Sequence, residues 1–269
     1  MVLYAALSGN VWADLNDGLV AYYPFNGNAR DASGNFNDGT VHGATLTEDR
    51  FGNKESAYSF DGNDDHILVG NNDSLNIDHR LTITAWIKKE ANKSYAGLVG
   101  NDWFGYTLMF DKTGNNLRLE LAHGSQHSFV TFSDSHIIEN NTWYHIVIIL
   151  DILNHNTNKV TFYVNGQKGS EKSTSYSDLS DMPKVYIGYE GYGNRYFKGT
   201  IDDIRIYNRA LSESEIQQLY QGCQPSIDII LNSNNRVTGD KVVINTHIKG
   251  SGSLDTSCKS SKVTLIFSH

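Results

Sequence analysis

Proline and cysteine are scarce in this chain, with 3 and 2 residues among 269. Two cysteines exclude a disulfide-dense scaffold, and their spacing fits no zinc motif. No run of about 18 apolar residues occurs, which excludes a helical membrane span. Basic residues are the minority, 22 against 30 acidic ones, for a formal charge of -8. That balance argues against nucleic acid and anionic membrane as main partners and leaves room for cations or a neutral ligand. A nucleophile elbow, a phosphate-binding loop and a metalloprotease pattern are all missing. The 10 histidines are scattered; His123, His127 and His136 fall on different strands or loops and read as structural.

Glycine and aromatic residues are plentiful instead, with 24 Gly, 15 Tyr, 11 Phe and 4 Trp. Glycine suits many turns, and the aromatics suit a large core. From Gly18 to about Lys198 the chain offers short β runs separated by Gly, Asn and Asp. Leu81, Ile83, Ala85 and Ile87 alternate with Thr82, Thr84 and Trp86, as one buried strand face requires. The segment WYHIVIILD is apolar almost throughout, so it reads as a central strand covered on both faces. Its Trp143 and His145 read as core and rim groups. Asn165-Gly166 is a type I′ hairpin signal. Ser212 and Glu215 form a capping box, Leu211 and Ile216 a hydrophobic staple, and Gly222 closes the one helix. After it, Cys223-Gln224-Pro225 reads as a linker. Residues 223–269 then read as the start of a second, truncated β domain. At the other end, residues 1–13 are apolar and uncharged, with Val11 and Ala13 at the −3 and −1 positions of a signal-peptidase site. They read as a partial secretory signal. In an exported protein Cys223 and Cys258 can pair; in a cytosolic one they are two thiols.

One stretch, GTIDDIRIYNRALSESEI at 199–216, combines a strand with the helix start. Alternation sets Asp202, Ile204 and Ile206 on one face and Ile201, Asp203, Arg205 and Tyr207 on the other. Asp202 then lies at the rim of a core, where a carboxylate needs a hydrogen-bonding, ionic or metal partner.

Taken together, the segment opening with GLVAYYPFNGNARDASGNFNDGTVHG, then LTITAWIKK, WYHIV, the YVNG hairpin and GTIDDIRIYNRALSESEIQQLY carry a resemblance. Over residues 14–222 the chain resembles the bacterial laminin-G-like jellyroll domain of the concanavalin A-like lectin/glucanase superfamily. The resemblance implies an all-β, two-sheet antiparallel sandwich with one short C-terminal helix. It also implies a secreted or cell-surface protein, often with bound Ca²⁺, and a glycan or protein ligand. It does not imply one function, because the fold hosts lectins, hydrolases and adhesion modules alike.

Two site expectations follow. Relatives of this fold commonly bind Ca²⁺ between the loop after the first strand and the last strand. Here that points to Asp31, Asn35 and Asn37 in an oxygen-rich loop, with Asp202 opposite. Asx-turns at Asp31 and Asn35, with Asp202 held by backbone N–H groups, are the metal-free alternative. The run Asp61–Asp65 is a second, weaker metal candidate and reads instead as a solvated turn between strands. For a ligand, two loops offer aromatics beside polar groups: Trp103 and Tyr106, and Tyr189, Tyr192, Asn194, Arg195 and Tyr196. Sugar rings stack on aromatic faces while their hydroxyls meet Asn, Asp and Arg. The alternative is that these aromatics close the ends of the sandwich. The glucanase Glu-x-Asp-x-(x)-Glu motif is absent, and Asp202 and Asp203 are expected on opposite faces, so catalysis is not expected. Carbohydrate recognition is the leading reading and protein adhesion the second.

Overall fold

The computed structural model describes residues 14–70, 72–77, 79–100, 105–123, 128–152, 158–174 and 184–222, with backbone alone at 122, 123, 128–130 and 174. The chain divides into two compact units, Met1–Gln217 and Gln218–His269. The β-rich fold lies in the first. The signal expected at 1–13, the second β domain expected at 223–269, Trp103 and the cysteines Cys223 and Cys258 lie outside the described residues.

In chain order the strands are β1 (Leu19–Tyr23), β2 (Thr40–His42), β3 (Thr45–Thr47), β4 (Ala57–Asp61), β5 (His66–Gly70), β6 (Arg80–Lys89), β7 (Gly97–Gly100) and β8 (Gly105–Phe110). They continue with β9 (Asn116–His123), β10 (Ser128–Ile137), β11 (Tyr144–Asp151), β12 (Asn158–Val164), β13 (Gln167–Thr174), β14 (Val185–Ile187) and β15 (Lys198–Tyr207). The α-helix α1 (Glu213–Gln221) follows. The first sheet has the order β13-β12-β11-β6-β15-β4-β3, with β1 also pairing β15; the second has the order β10-β9-β8-β7-β14-β5-β2. Every pairing is antiparallel. The result is the expected two-sheet jellyroll sandwich.

The core forms between the sheets, as period-two patterning demands. Leu81, Ile83, Ala85 and Ile87 of β6 enter it with Ile146, Ile148 and Leu150 of β11, and Tyr106, Leu108 and Phe110 of β8 come from the opposite sheet. His145 through Leu150 are all buried, so β11 is covered on both faces as its composition indicates. Part of its outer cover is the segment leading into α1: Thr82 Oγ1 donates to the Arg209 carbonyl, and the Leu211 amide donates to Thr82 Oγ1. The capping box is formed. Ser212 N donates to Glu215 Oε2 at 2.7 Å, and Glu215 N donates back to Ser212 Oγ at 3.3 Å. The β12–β13 hairpin turns at Asn165 and Gly166, both at positive φ (50° and 72°), as type I′ geometry requires.

Strict alternation fails in β15. Asp203 sits at φ 49°, and the register against β6 shifts between Asp202 and Arg205. This bulge places one extra residue on one side. Ile201, Ile204 and Ile206 all enter the core, and both aspartates meet the same guanidinium. The expectation that Asp202 shares a face with Ile204, and that Asp203 points the other way, is therefore corrected.

Candidate functional site

The outer face of the second sheet is built by the residues between the core positions. In β5, Ile67 and Val69 enter the core, so His66 and Leu68 face outward. In β14, Val185 and Ile187 enter it, so Tyr186 faces outward beside Leu68, its register partner. His42 of β2 stands opposite His66. Their rings stack at 4.6 Å and 11°.

The loop joining β14 to β15 folds over this face. Gly97 in β7 makes room for it: a Cβ there would lie 2.3 Å from the Glu190 amide and 2.4 Å from the Tyr189 carbonyl carbon. The Gly97 amide donates to the Arg195 carbonyl at 2.9 Å. Tyr189 and Tyr196 stack on each other at 4.2 Å and 9°. His66 lies 5.8 Å from the Tyr189 ring, 6.3 Å from Tyr196 and 5.8 Å from Tyr186. Five rings, His42, His66, Tyr186, Tyr189 and Tyr196, thus form one contiguous group, with Tyr192 exposed nearby in sequence (53%).

A polar strip belongs to the same loop. Arg195 Nη1 donates to Glu190 Oε1 at 2.6 Å, and the Glu190 side chain is only 1% exposed. Arg195 also lies over the Tyr95 ring at 4.9 Å, with Arg118 over the same ring at 5.3 Å. Arg118 is in turn paired with Glu120. Tyr95 holds φ 58°, a conformation a bulky side chain adopts only under strain, costing about 1–2 kcal/mol.

A second polar group covers the outer face of the first sheet. Arg50 Nη1 bridges Asp202 Oδ2 (2.9 Å) and Asp203 Oδ2 (2.7 Å). Its guanidinium is sandwiched by Phe51 at 4.4 Å and Trp86 at 4.5 Å. Tyr22 Oη donates to Asp203 Oδ1, and Asp203 N donates to Asp202 Oδ1. Arg205 covers the Tyr22 ring at 3.9 Å. His145 lies beside Trp86 at 5.2 Å. Burial, reinforced by the positive charges of Arg205 and Arg50, pushes its pKa down to about 3.

The four residues expected to hold calcium do not fit the ion as a set. Asp31 Oδ1 accepts from the Tyr22 and Ser33 amides, and Oδ2 accepts from Ser33 Oγ and the Asn37 amide. Asn35 and Asn37 turn amide nitrogens, not oxygens, toward the carbonyls of Leu19 and Val20. Asp202 is held by Arg50 and by its neighbour's amide. At Asp31 an ion would need the same lone pairs that these four donors occupy. Asp31 forms the Asx-turn of the metal-free alternative, Asn35 does not, and Asp202 has a guanidinium as a partner. Among the described residues, the carboxylates that converge are Asp61, Asp64 and Asp65. There Asp61 accepts from Asn63, and Asp65 accepts from the Asp61 amide. Those bonds close the turn between β4 and β5. Removing Asp31 with alanine is expected to cost about 2–3 kcal/mol, because several donors lose their acceptor. Excess EDTA is expected to leave the melting temperature unchanged; calorimetry on both samples checks this.

Of the expected ligand-site residues, the structure brings Tyr189 and Tyr196 together in the ring group and sets Arg195 on Glu190. Tyr192 and Asn194 are exposed on the same loop. Tyr106 does not belong: it is fully buried in the core, and burial raises its hydroxyl pKa well above the tyrosine range. Its alternation with Leu108 and Phe110 carried that message. Sequence reasoning missed His42, His66 and Tyr186, although each alternates with apolar core positions. It also missed Arg50 and Glu190, for which no local signal exists.

A family model described as the concanavalin A-like lectin/glucanases superfamily, Laminin_G_3, matches residues 61–217. The Paraclostridial mosquitocidal protein 1 of Paraclostridium bifermentans is 28% identical over 179 residues, 57% of this chain and 13% of that protein. The crystal structure of its binding domain superposes with a TM-score of 0.63 at 24% identity, covering 77% of this chain and 52% of that one. Domain 4 of AbnA, a GH43 extracellular arabinanase from Geobacillus stearothermophilus solved with arabinotriose, gives 0.60 at 21% identity, covering 76% and 98%. The botulinum neurotoxin serotype D ligand-binding domain, solved with N-acetylneuraminic acid, gives 0.59 at 18%, covering 77% and 51%. This chain therefore spans about half of the first solved relative and a small part of the first full-length one. The structural likenesses establish the fold. With the family model covering more than half of its length, the chain belongs to the laminin-G-like family of the concanavalin A-like lectin/glucanase superfamily.

Proposed function

We propose that residues 14–222 form a non-catalytic carbohydrate-recognition module of an exported protein, and that the glycan docks on the outer face of the second sheet. The observation that carries this is the contiguous group of His42, His66, Tyr186, Tyr189 and Tyr196 beside the Arg195–Glu190 pair. Aromatic faces take the C–H surfaces of sugar rings, and fixed polar groups orient the hydroxyls. Relatives of the same fold were solved with arabinotriose and with N-acetylneuraminic acid. A non-catalytic role also fits the aspartate pair. Asp202 and Asp203 share one guanidinium, whereas glycoside hydrolysis needs two carboxyl groups flanking the bond.

On a glycan array, Tyr196→Ala is expected to weaken the best ligand about tenfold, the equivalent of about 1.4 kcal/mol of stacking. Unchanged binding would remove the platform from the account.

Protein adhesion is the second reading, and one observation favours it. Phe36 is 86% exposed at φ 60° on the Asp31 loop, so an apolar ring faces solvent there. Among the structural relatives, the binding domain of botulinum neurotoxin DC was solved with rat synaptotagmin II. An empty array together with a protein pull-down that Phe36→Ser abolishes would favour this reading.

A further inference from the structure

We infer that the glycan taken at this face is uncharged, and that the face selects against carboxylated and sulfated sugars. The inference rests on the glycan reading above and names its ligand class.

Acidic sugars are held by cations that can turn to them, usually arginine in bidentate geometry. Every Lys and Arg between residues 14 and 222 is among the described residues. Arg195 belongs to the loop that carries Tyr189 and Tyr196, Arg118 shares the Tyr95 ring with it, and both are ion-paired. Arg195 is bound to Glu190 at 2.6 Å, and Glu190 is 1% exposed. Drawing Arg195 toward an anionic ligand would leave that buried carboxylate without its cation, which is strongly unfavourable. Arg118 is bound to Glu120, and both guanidiniums also rest on the Tyr95 ring.

Nearby charge points the same way. The turn beside His66 adds the carboxylates of Asp61, Asp64 and Asp65. Lys93 in that neighbourhood is bound to the Gly62 carbonyl, and Lys198 is the register partner of Asp61. Across the whole chain the formal charge is -8, so an approaching polyanion meets repulsion at long range. Around Arg195 the face offers ring surface and charge-neutral Arg–Glu pairs, which can still donate and accept hydrogen bonds to hydroxyls.

The test is a glycan array in which each neutral oligosaccharide is printed beside its uronic or sialylated counterpart. It is probed with the full chain and with the Glu120→Gln and Glu190→Gln variants. Neutral members are expected to bind about tenfold or more above their acidic partners. Each Glu→Gln change frees an arginine and is expected to shift the ratio about tenfold toward the acidic member. Glu120→Gln, on a strand face, carries the test if Glu190→Gln fails to fold. Acidic members bound as well as neutral ones by the unmodified chain, or a ratio unmoved by the substitutions, would overturn the inference while leaving glycan recognition in place. Silence toward both members would instead overturn glycan recognition, and the inference with it.

Discussion

Replacing Arg50 with methionine is expected to destabilise the domain by about 3–5 kcal/mol, the scale for removing one partner of a buried charge cluster. For a domain of this size that corresponds to a drop of about 10 °C in melting temperature. The Arg50 side chain is 11% exposed, and those of Asp202 and Asp203 are 0% and 5% exposed. Methionine can keep the packing between Phe51 and Trp86, but it removes the guanidinium that both carboxylates share. The triple variant Arg50→Met, Asp202→Asn, Asp203→Asn removes the two carboxylate charges as well and is expected to recover much of the loss. Thermal unfolding followed by circular dichroism reads both. A single-variant loss below about 1 kcal/mol, the range of a surface ion pair, would show that Arg50 does not hold the last strand.

Acid is expected to destabilise the fold before its carboxylates titrate. His145 is 2% exposed, and its pKa falls from 6.5 to about 3 in the folded chain. Below pH 6.5 the unfolded chain takes up a proton at this residue and the folded chain does not. Stability therefore falls with decreasing pH across the interval from 6.5 to about 3, by up to about 1.4 kcal/mol per pH unit. Depressed carboxylates such as Asp134, Glu171 and Glu215 lose their contribution only as pH falls through the acid range. The interval from pH 6.5 to 5 is thus the one His145 dominates, with an expected loss of about 2 kcal/mol. Urea melts at those two pH values measure it, and His145→Gln is expected to flatten the dependence. An equal slope in the variant would assign the acid sensitivity elsewhere.

Both predictions concern residues whose roles local sequence patterns do not announce, and this separates what was legible from what was not. The strands β6, β11 and β12, the Asn165-Gly166 turn and the capped helix were legible because each follows from spacing within a dozen residues. The bulge at Asp203 was not. An aspartate entering the left-handed region looks like any other Asp in a strand, yet it reverses the face of everything before it. Arg50 lies 152 residues from Asp202, so only the paired sheet brings them together. For the same reason the carboxylate's need for a partner is legible in the sequence while the guanidinium that meets it is not. The ligand loop was half legible: Gly-flanked Tyr192 is exposed as expected. The platform itself depends on His42 and His66 meeting across strands, with Gly97 admitting the loop. Tyr106 was assigned to the platform by its sequence neighbourhood, although its alternation already placed it in the core.

The most direct test of the account is where a bound glycan sits. Backbone amide chemical shifts, recorded while the strongest array ligand is added, locate it without presupposing a residue. The account predicts shifts concentrated at His42, His66, Tyr186, Tyr189, Tyr192 and Tyr196, with Arg50, Trp86 and Asp202 unmoved. Shifts confined to Arg50, Phe51 and Trp86, over the outer face of the first sheet, would contradict it.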